Sequence, residues 1–349
     1  MGLKRYFVIM LILLMIFSVS CSKKNDHSQG DPNEIHTSIE EVEPEIKEPE
    51  IPKAQNPLTG TEMDMAYEKQ RPLAVMVENE YNARPQSGLD RAGIVYEILA
   101  EGGITRFLAL YLGEDLEEIG PVRSARPYFL DYAMEYDSIY IHYGASPQGY
   151  IDIKSLKLNA IDGIYDAVTF WRDKSRKEPH NAYTSIEKLL EASESRGFLR
   201  DTELNLWVFN SEDLPAGDQA MEEFHLEYFN KYTVSYTYDD VKKQYKRFIN
   251  GKPHTDRNTG DPIYVKNIIV QFLNTKVIDD VGRLSITTVN NGEGYYISNV
   301  CFSRIKWQKE GRSQRTQYTL EDGSKLSINK GNTWIQIMPQ WGSLNYDNS

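Results

Sequence analysis

Residues 71–112, RPLAVMVENEYNARPQSGLDRAGIVYEILAEGGITRFLALYL, decide the fold. Leu73–Val77 is a short apolar run between Pro72 and Glu78, long enough for a buried strand and too short for a helix. Ile94–Leu99 and Thr105–Leu112 are two more such runs, and Gly102-Gly103 between them supplies the turn of a hairpin. The stretch therefore predicts a sheet core with little helix of its own.

Downstream, helices join the strands. Ser124 reads as a helix cap with Pro127 in the first turn, and Phe129, Leu130, Ala133 and Met134 recur at helical spacing. Ser138–Tyr143 returns to strand, and a second helix follows Ser146-Pro147. A third runs from Ser185 to about Arg196, with Thr184 and Glu187 as a capping box and Gly197 as its stop. From Leu206 onward the pattern is mostly β. Tyr232–Tyr238 alternates, Ile268–Phe272 reads as a core strand, and turns are expected at Asn250-Gly251, Thr259-Gly260, Asn291-Gly292, Asp322-Gly323 and Lys330-Gly331. The fold class expected is α+β: a mixed α/β N-terminal domain over residues 56–205, then a smaller antiparallel β-rich C-terminal domain over 206–349.

Upstream, the chain describes an address. Lys4 and Arg5 precede the apolar run Tyr6–Phe17, and Ser18, Val19 and Ser20 lead to Cys21. This is a secretory signal peptide over residues 1–20, too short for a spanning helix of roughly 20 apolar residues. Cys21 is the expected lipid attachment site. A lipobox prefers Leu where Ser18 stands, so ordinary cleavage without a lipid is the alternative. Residues 21–55 form an acidic tether, with Glu40–Pro52 (EEVEPEIKEPEIP) too poor in apolar residues to fold alone. The expected location is the extracytoplasmic face of the cell membrane, with the bilayer as a partner through Cys21. A formal charge of −12 argues against nucleic acid and against electrostatic docking on anionic lipid. Once Cys21 is processed, Cys301 has no cysteine partner, so apolar burial must supply the stability.

The chain resembles the YerB-like bacterial lipoproteins, a family defined by a domain of unknown function. The residues that carry the likeness are NPLTG at Asn56–Gly60, RPLAVMVEN at Arg71–Asn79, ARPQSGLDRAGIVYE at Ala83–Glu97, EGGITRF at Glu101–Phe107 and GPVRSARPYFLDYAMEYDSIY at Gly120–Tyr140. NGKPHTDRNTG at Asn250–Gly260, NIIVQF at Asn267–Phe272 and GNTWIQIMP at Gly331–Pro339 continue it in the second half. The resemblance implies an envelope lipoprotein of two domains with no established activity and no catalytic residues to carry over.

Arginines make the best candidate site. Arg123 and Arg126 flank the start of the first helix, where cations oppose the helix dipole by up to ~1 kcal/mol each unless an anion sits with them. Arg84 and Arg106 are candidates to join them. The anion is then either a ligand or an internal carboxylate, Glu97, Glu101 or Asp131. A second candidate is the loop Thr169–Asn181 (TFWRDKSRKEPHN), where Arg172, Lys174, Arg176, Lys177 and His180 gather beside Phe170 and Trp171. A solvated basic loop is the plainer reading of it. His180 is the one weak candidate for an acid or base.

Other chemistries fare worse. Gly144-Ala145-Ser146 looks like a nucleophile elbow, but Pro147 lacks the N–H that builds half an oxyanion hole, so Ser146 reads as a helix cap. The histidines show no paired metal spacing. Asp256–Asp261 (DRNTGD) lacks the closing Glu of a calcium loop and reads as a turn. No metal or cofactor is expected. The sequence points to a binding or accessory protein of the envelope that recognises an anionic wall polymer, another anionic ligand or a protein partner. The alternative is an envelope hydrolase or transferase acting on a phosphorylated or carboxylated substrate.

Overall fold

A strand with no exposed face needs covering on both sides, and the three runs that opened the sequence behave so. β1 (Leu73–Glu78), β2 (Ile94–Leu99) and β3 (Thr105–Tyr111) are buried at every residue. The computed structural model describes residues 52–229 and 232–346; the signal segment, Cys21 and the acidic stretch through Ile51 lie outside the described residues. β3 pairs antiparallel with both β2 and β1. β4 (Ile139–His142) and β5 (Ala160–Asp162) then continue the sheet in parallel with β1. Helix α1 (Pro127–Ala133) precedes β4 and α2 (Pro147–Ser155) precedes β5, as parallel crossovers require. Helix α3 (Ile186–Ser195) completes the mixed α/β region.

The second half is mainly antiparallel β-sheet. Its strands are β6 (Gln219–Ala220), β7 (Glu223–Phe229), β8 (Tyr232–Asp239), β9 (Gln244–Ile249), β10 (Lys252–Pro253) and β11 (Tyr264–Val265). They continue through β12 (Asn267–Leu273), β13 (Thr275–Val277), β14 (Leu284–Ile286), β15 (Asn291–Ser298) and β16 (Cys301–Gln308). β17 (Gln317–Leu320), β18 (Thr333–Pro339) and β19 (Ser343–Tyr346) complete the series. One six-stranded sheet runs β10-β9-β8-β7-β19, with β11 on β9, and every pairing in it is antiparallel.

The remaining large sheet crosses the expected boundary at 205/206. Its order is β6-β16-β15-β12-β18-β2-β3-β1-β4-β5, with β17 on β16, eleven strands in all. The join is β18, which pairs in parallel with β12 on one side and with β2 on the other. Strands from the two halves thus share one hydrogen-bonded sheet.

Two cores follow from its two faces. Val77, Val95, Phe107, Val270 and Trp334 face the six-stranded sheet, whose Phe224, Leu226 and Tyr236 fill the other side. On the opposite face Met76, Tyr96 and Leu108 meet Phe129 and Leu130 of α1. Each such apolar side chain contributes roughly 1.5–3 kcal/mol when fully buried.

Several local expectations shift. The cap of α1 is Arg126, with no side-chain bond, because Ser124 gives its hydroxyl to the Tyr143 carbonyl at 3.0 Å. α3 is capped by Ser185, which accepts from Lys188 N, while Thr184 donates to the Thr169 carbonyl. Asn291-Gly292 is not a turn but the start of β15, paired with Gln308 and Trp307. Gly292 is needed for a different reason: a Cβ there would sit 2.9 Å from Trp307 Nε1. Lys53–Gln55, expected in the tether, pair antiparallel with Glu62–Asp64.

Between the two sheets lies one ion pair with no exposure at either partner, Glu97 of β2 and Arg247 of β9. Glu97 also accepts from Tyr232 OH at 2.6 Å and Thr105 Oγ1 at 2.7 Å. Arg247 lies over the Trp334 ring at 4.5 Å and bonds His254 Nδ1. Because Arg247 can only donate, His254 accepts at Nδ1, so its Nε2–H donates to Gln86 Oε1 at 2.8 Å. Burial, then the charges of Arg247 and Arg84, hold His254 well below the ordinary histidine value. The folded protein therefore keeps it neutral while the unfolded chain gains a proton below about pH 6.5. Stability from this site is present above that pH and is lost as pH falls. Urea midpoints of wild type and His254→Gln should differ most at pH 7–8 and converge towards pH 5; a gap independent of pH would contradict this.

Candidate functional site

Ligands in α/β sheets gather at the carboxyl ends of parallel strands, and the candidate arginines lie there. Residues 123–126 run past the ends of β1 and β4: Arg123 N donates to Met76 O, Tyr143 N to Arg123 O, and Ser146 N to Ala125 O. These bonds fix where Arg123 and Arg126 emerge. They do not put both into one cluster.

Arg126 meets Arg106. Arg106 stands on β3, and Glu101 occupies the short turn between β2 and β3. Arg126 binds both oxygens of Glu101, through Nε to Oε1 and through Nη2 to Oε2, the latter at 3.1 Å. Arg106 Nη2 adds a bond to Oε2 at 3.2 Å, and its Nη1 donates to the Ser124 carbonyl at 3.1 Å. Burial, then the charge of Arg126, push the Arg106 guanidinium down to about 10. Burial raises the Glu101 carboxyl, but the Arg126 bond and the charges of Arg106 and Arg126 outweigh it and hold it below its ordinary value.

Arg123 meets His180. Glu78, at the end of β1 and 1% exposed, stands 2.9 Å from Arg123 Nε through Oε1, a charge contact in which the N–H is not aligned for a hydrogen bond. Its Oε2 lies 3.0 Å from His180 Nδ1, and His180 Nε2 is 3.6 Å from Glu80. An internal carboxylate therefore accompanies both Arg123 and Arg126. Glu101 plays that part for Arg126, Glu78 does so for Arg123, and Glu97 and Asp131 pair instead with Arg247 and Arg312.

The other candidates are spoken for. Arg84 turns away to the Asn79 side chain and carbonyl and lies over the Tyr232 ring at 5.5 Å. Arg172 bonds Asn181 Oδ1 at 2.7 Å and Tyr143 OH at 3.1 Å, and Arg176 bonds the carbonyls of Ala83 and Pro85. The loop 169–181 is thus folded onto the body by its own arginines. Ser146 Oγ accepts from Gly149 N and caps α2. Asp256 accepts from Asn258 N within its turn and from Leu89 N of the first half, and among the described residues no group of three His, Cys, Asp or Glu converges as metal ligands.

Beside Arg126 opens a cavity of about 320 Å³ that the sequence did not foretell. Arg283, next to β14, and Arg312, beyond β16, bring guanidinium groups of the second half to it; Tyr128, Gln148 and Ile278 line it as well. Arg312 is anchored by Asp131 at 2.6 Å and Asp152 at 2.8 Å. Both arginines sit in charged, turn-like stretches, DDVGRLS and KEGRSQR, more than 150 residues from Arg126, and nothing in those stretches signals convergence. A larger cleft of about 650 Å³ lies by Tyr81, Arg84, Pro85 and Pro253. Its one guanidinium is committed to Asn79.

Comparison with known proteins agrees with the likeness read from the sequence. Residues 58–199 match the family described as "Protein of unknown function (DUF3048) N-terminal domain", and residues 224–335 match its C-terminal domain. "Putative lipoprotein YerB" of Bacillus subtilis (strain 168) is 37% identical over 292 residues, covering 82% of this chain and 87% of the relative. A crystal structure of YerB protein from Bacillus subtilis superimposes with a TM-score of 0.76 at 35% identity, over 84% of this chain and all of that one.

The Glu101 contacts carry a pH signature. A carboxyl held below its unfolded value adds stability above about pH 4.5 and loses it as pH falls through the folded value. Glu101→Gln should cost about 1.5–3 kcal/mol at pH 7, with the loss shrinking below pH 4.5 in chemical unfolding. An equal cost at pH 7 and pH 3 would show that the carboxylate charge is not what Arg106 and Arg126 hold.

Proposed function

The chain belongs to the DUF3048 family of proteins of unknown function, and on that premise we propose that it is a non-catalytic binding protein of the cell envelope. It is held at the membrane through Cys21 and takes an anionic ligand beside Arg126. The observation that carries this reading is the meeting of Arg126, Arg283 and Arg312 on one cavity of about 320 Å³; Asp279 pairs with Arg283 and two aspartates with Arg312, which leaves Arg126, sharing Glu101 with Arg106, as the group with charge to spare. That is near the lower end of the ~300–1,000 Å³ typical of small-ligand sites. Guanidinium forks recognise carboxylate and phosphate in two-point geometry, and they keep their charge at any physiological pH. In a chain of net charge −12, attraction of an anion has to be local.

The membrane part of the proposal rests on Lys4, Arg5, the run Tyr6–Phe17 and Cys21, together with the lipoprotein name borne by the Bacillus relative. A second reading, an enzyme of phosphorylated or carboxylated substrates, draws on the Glu78–His180 contact at 3.0 Å. A buried carboxylate that fixes one imidazole nitrogen leaves the other to accept or deliver a proton.

Calorimetric titration of the full-length protein with inorganic phosphate, hexose phosphates and wall-polymer fragments tests the proposal. Wild type should bind at least one of them saturably, Arg126→Ala should weaken it about tenfold or more, and His180→Ala should leave it unchanged. Absence of binding, or equal binding by Arg126→Ala, would contradict the proposal. Turnover of a phosphoester that His180→Ala abolishes would establish the second reading.

A further inference from the structure

Resting on the anion-site reading above, we propose that Glu101 is an internal stand-in for the ligand, and that the group which displaces it from Arg106 and Arg126 is a phosphate monoester. Glu101 grips Arg126 with both oxygens, the two-point geometry an incoming anion would use. Its side chain and that of Arg126 are each 15% exposed, so the contact is open to exchange from the cavity that both line. Glu101 is carried on a turn of two left-handed glycines, Gly102 and Gly103.

The class of ligand follows from counting donors. With Glu101 in place, Arg106 Nε, Tyr128 OH and Tyr140 OH are buried and have no hydrogen-bond partner among the described residues. Arg106 is 5% exposed, Tyr128 is 3% and Tyr140 is fully buried. Of these, Tyr128 lines the cavity together with Glu101 and Arg126, and Arg106 Nε belongs to a guanidinium that already binds Glu101. Buried donors left unpaired are costly, and native proteins keep few of them. A carboxylate offers two oxygens, and three N–H groups already bind those of Glu101. A phosphate monoester offers three terminal oxygens and a charge between one and two. It can take up the N–H groups that Glu101 releases and offer a third oxygen to Tyr128 OH, which lines the same cavity. The charge count agrees: two guanidinium groups face one carboxylate here.

The test uses inorganic phosphate and acetate as probes, titrated into full-length wild type, Glu101→Gln and Tyr128→Phe at pH 7.5. Glu101→Gln, freed of its competitor, should bind phosphate about tenfold more tightly than wild type, with a much smaller gain for acetate. Tyr128→Phe removes a hydroxyl that has no partner, so its melting temperature should hold or rise while phosphate binding weakens severalfold. That combination guards against a Glu101 variant that fails to fold. Phosphate binding by wild type that Glu101→Gln does not tighten and Tyr128→Phe does not weaken would overturn the stand-in while leaving the anion site intact. Equal gains for acetate and phosphate would overturn the phosphate assignment. No binding by any of the three proteins would overturn this inference and the anion site together.

Discussion

The Glu97–Arg247 pair is the constraint on which the architecture turns. Both charges are fully buried, 150 residues apart in sequence, and each belongs to a different sheet. Removing a partner from such a pair leaves an uncompensated charge and typically costs about 3–5 kcal/mol. Only a stacking that brings β9 over β2 pairs both charges, which disfavours other ways of laying one sheet on the other. The surrounding polar groups complete the arrangement. Tyr232, Thr105, Tyr236, His254, Gln86 and Asn79 form a connected set of hydrogen bonds with few loose ends.

The same joining of halves produces the candidate site. Glu101, Arg106 and Arg126 come from the first half, and Arg283, Arg312 and Ile278 from the second. β18, lying between β12 and β2, is what puts those halves into one sheet. The cavity beside Arg126 is thus a product of the assembled fold rather than of either half. Its chemistry is mixed. Arg312 is tied to two aspartates, whereas Arg106 and Arg126 share a single carboxylate. Positive charge is in surplus only at the second place.

The elements were legible wherever local chemistry decides. The runs Leu73–Val77 and Ile94–Leu99 and the Gly102-Gly103 turn declared themselves because burial on both faces leaves no polar alternation, and a tight hairpin needs left-handed backbone. Ser146 was legible as a cap because Pro147 rules out other roles. The caps of α1 and α3 were misplaced by one or two residues, since Ser124 and Thr184 spend their hydroxyls on distant carbonyls that no local rule foresees. At the candidate site, Arg126 and the option of Glu101 as an internal anion were readable. The splitting of Arg123 from Arg126 was not, nor was the arrival of Arg283 and Arg312, because each depends on strand pairings across the chain.

The most direct test of the account is a double-mutant cycle on the buried pair, read by urea unfolding at pH 7 for Glu97→Gln, Arg247→Met and the combined variant. If the pair holds the sheets in register, each single change costs roughly 3–5 kcal/mol, and the combined variant loses far less than the two losses added together. Losses that simply add would show that the two charges are satisfied independently, and that something other than their union fixes the stacking of the sheets.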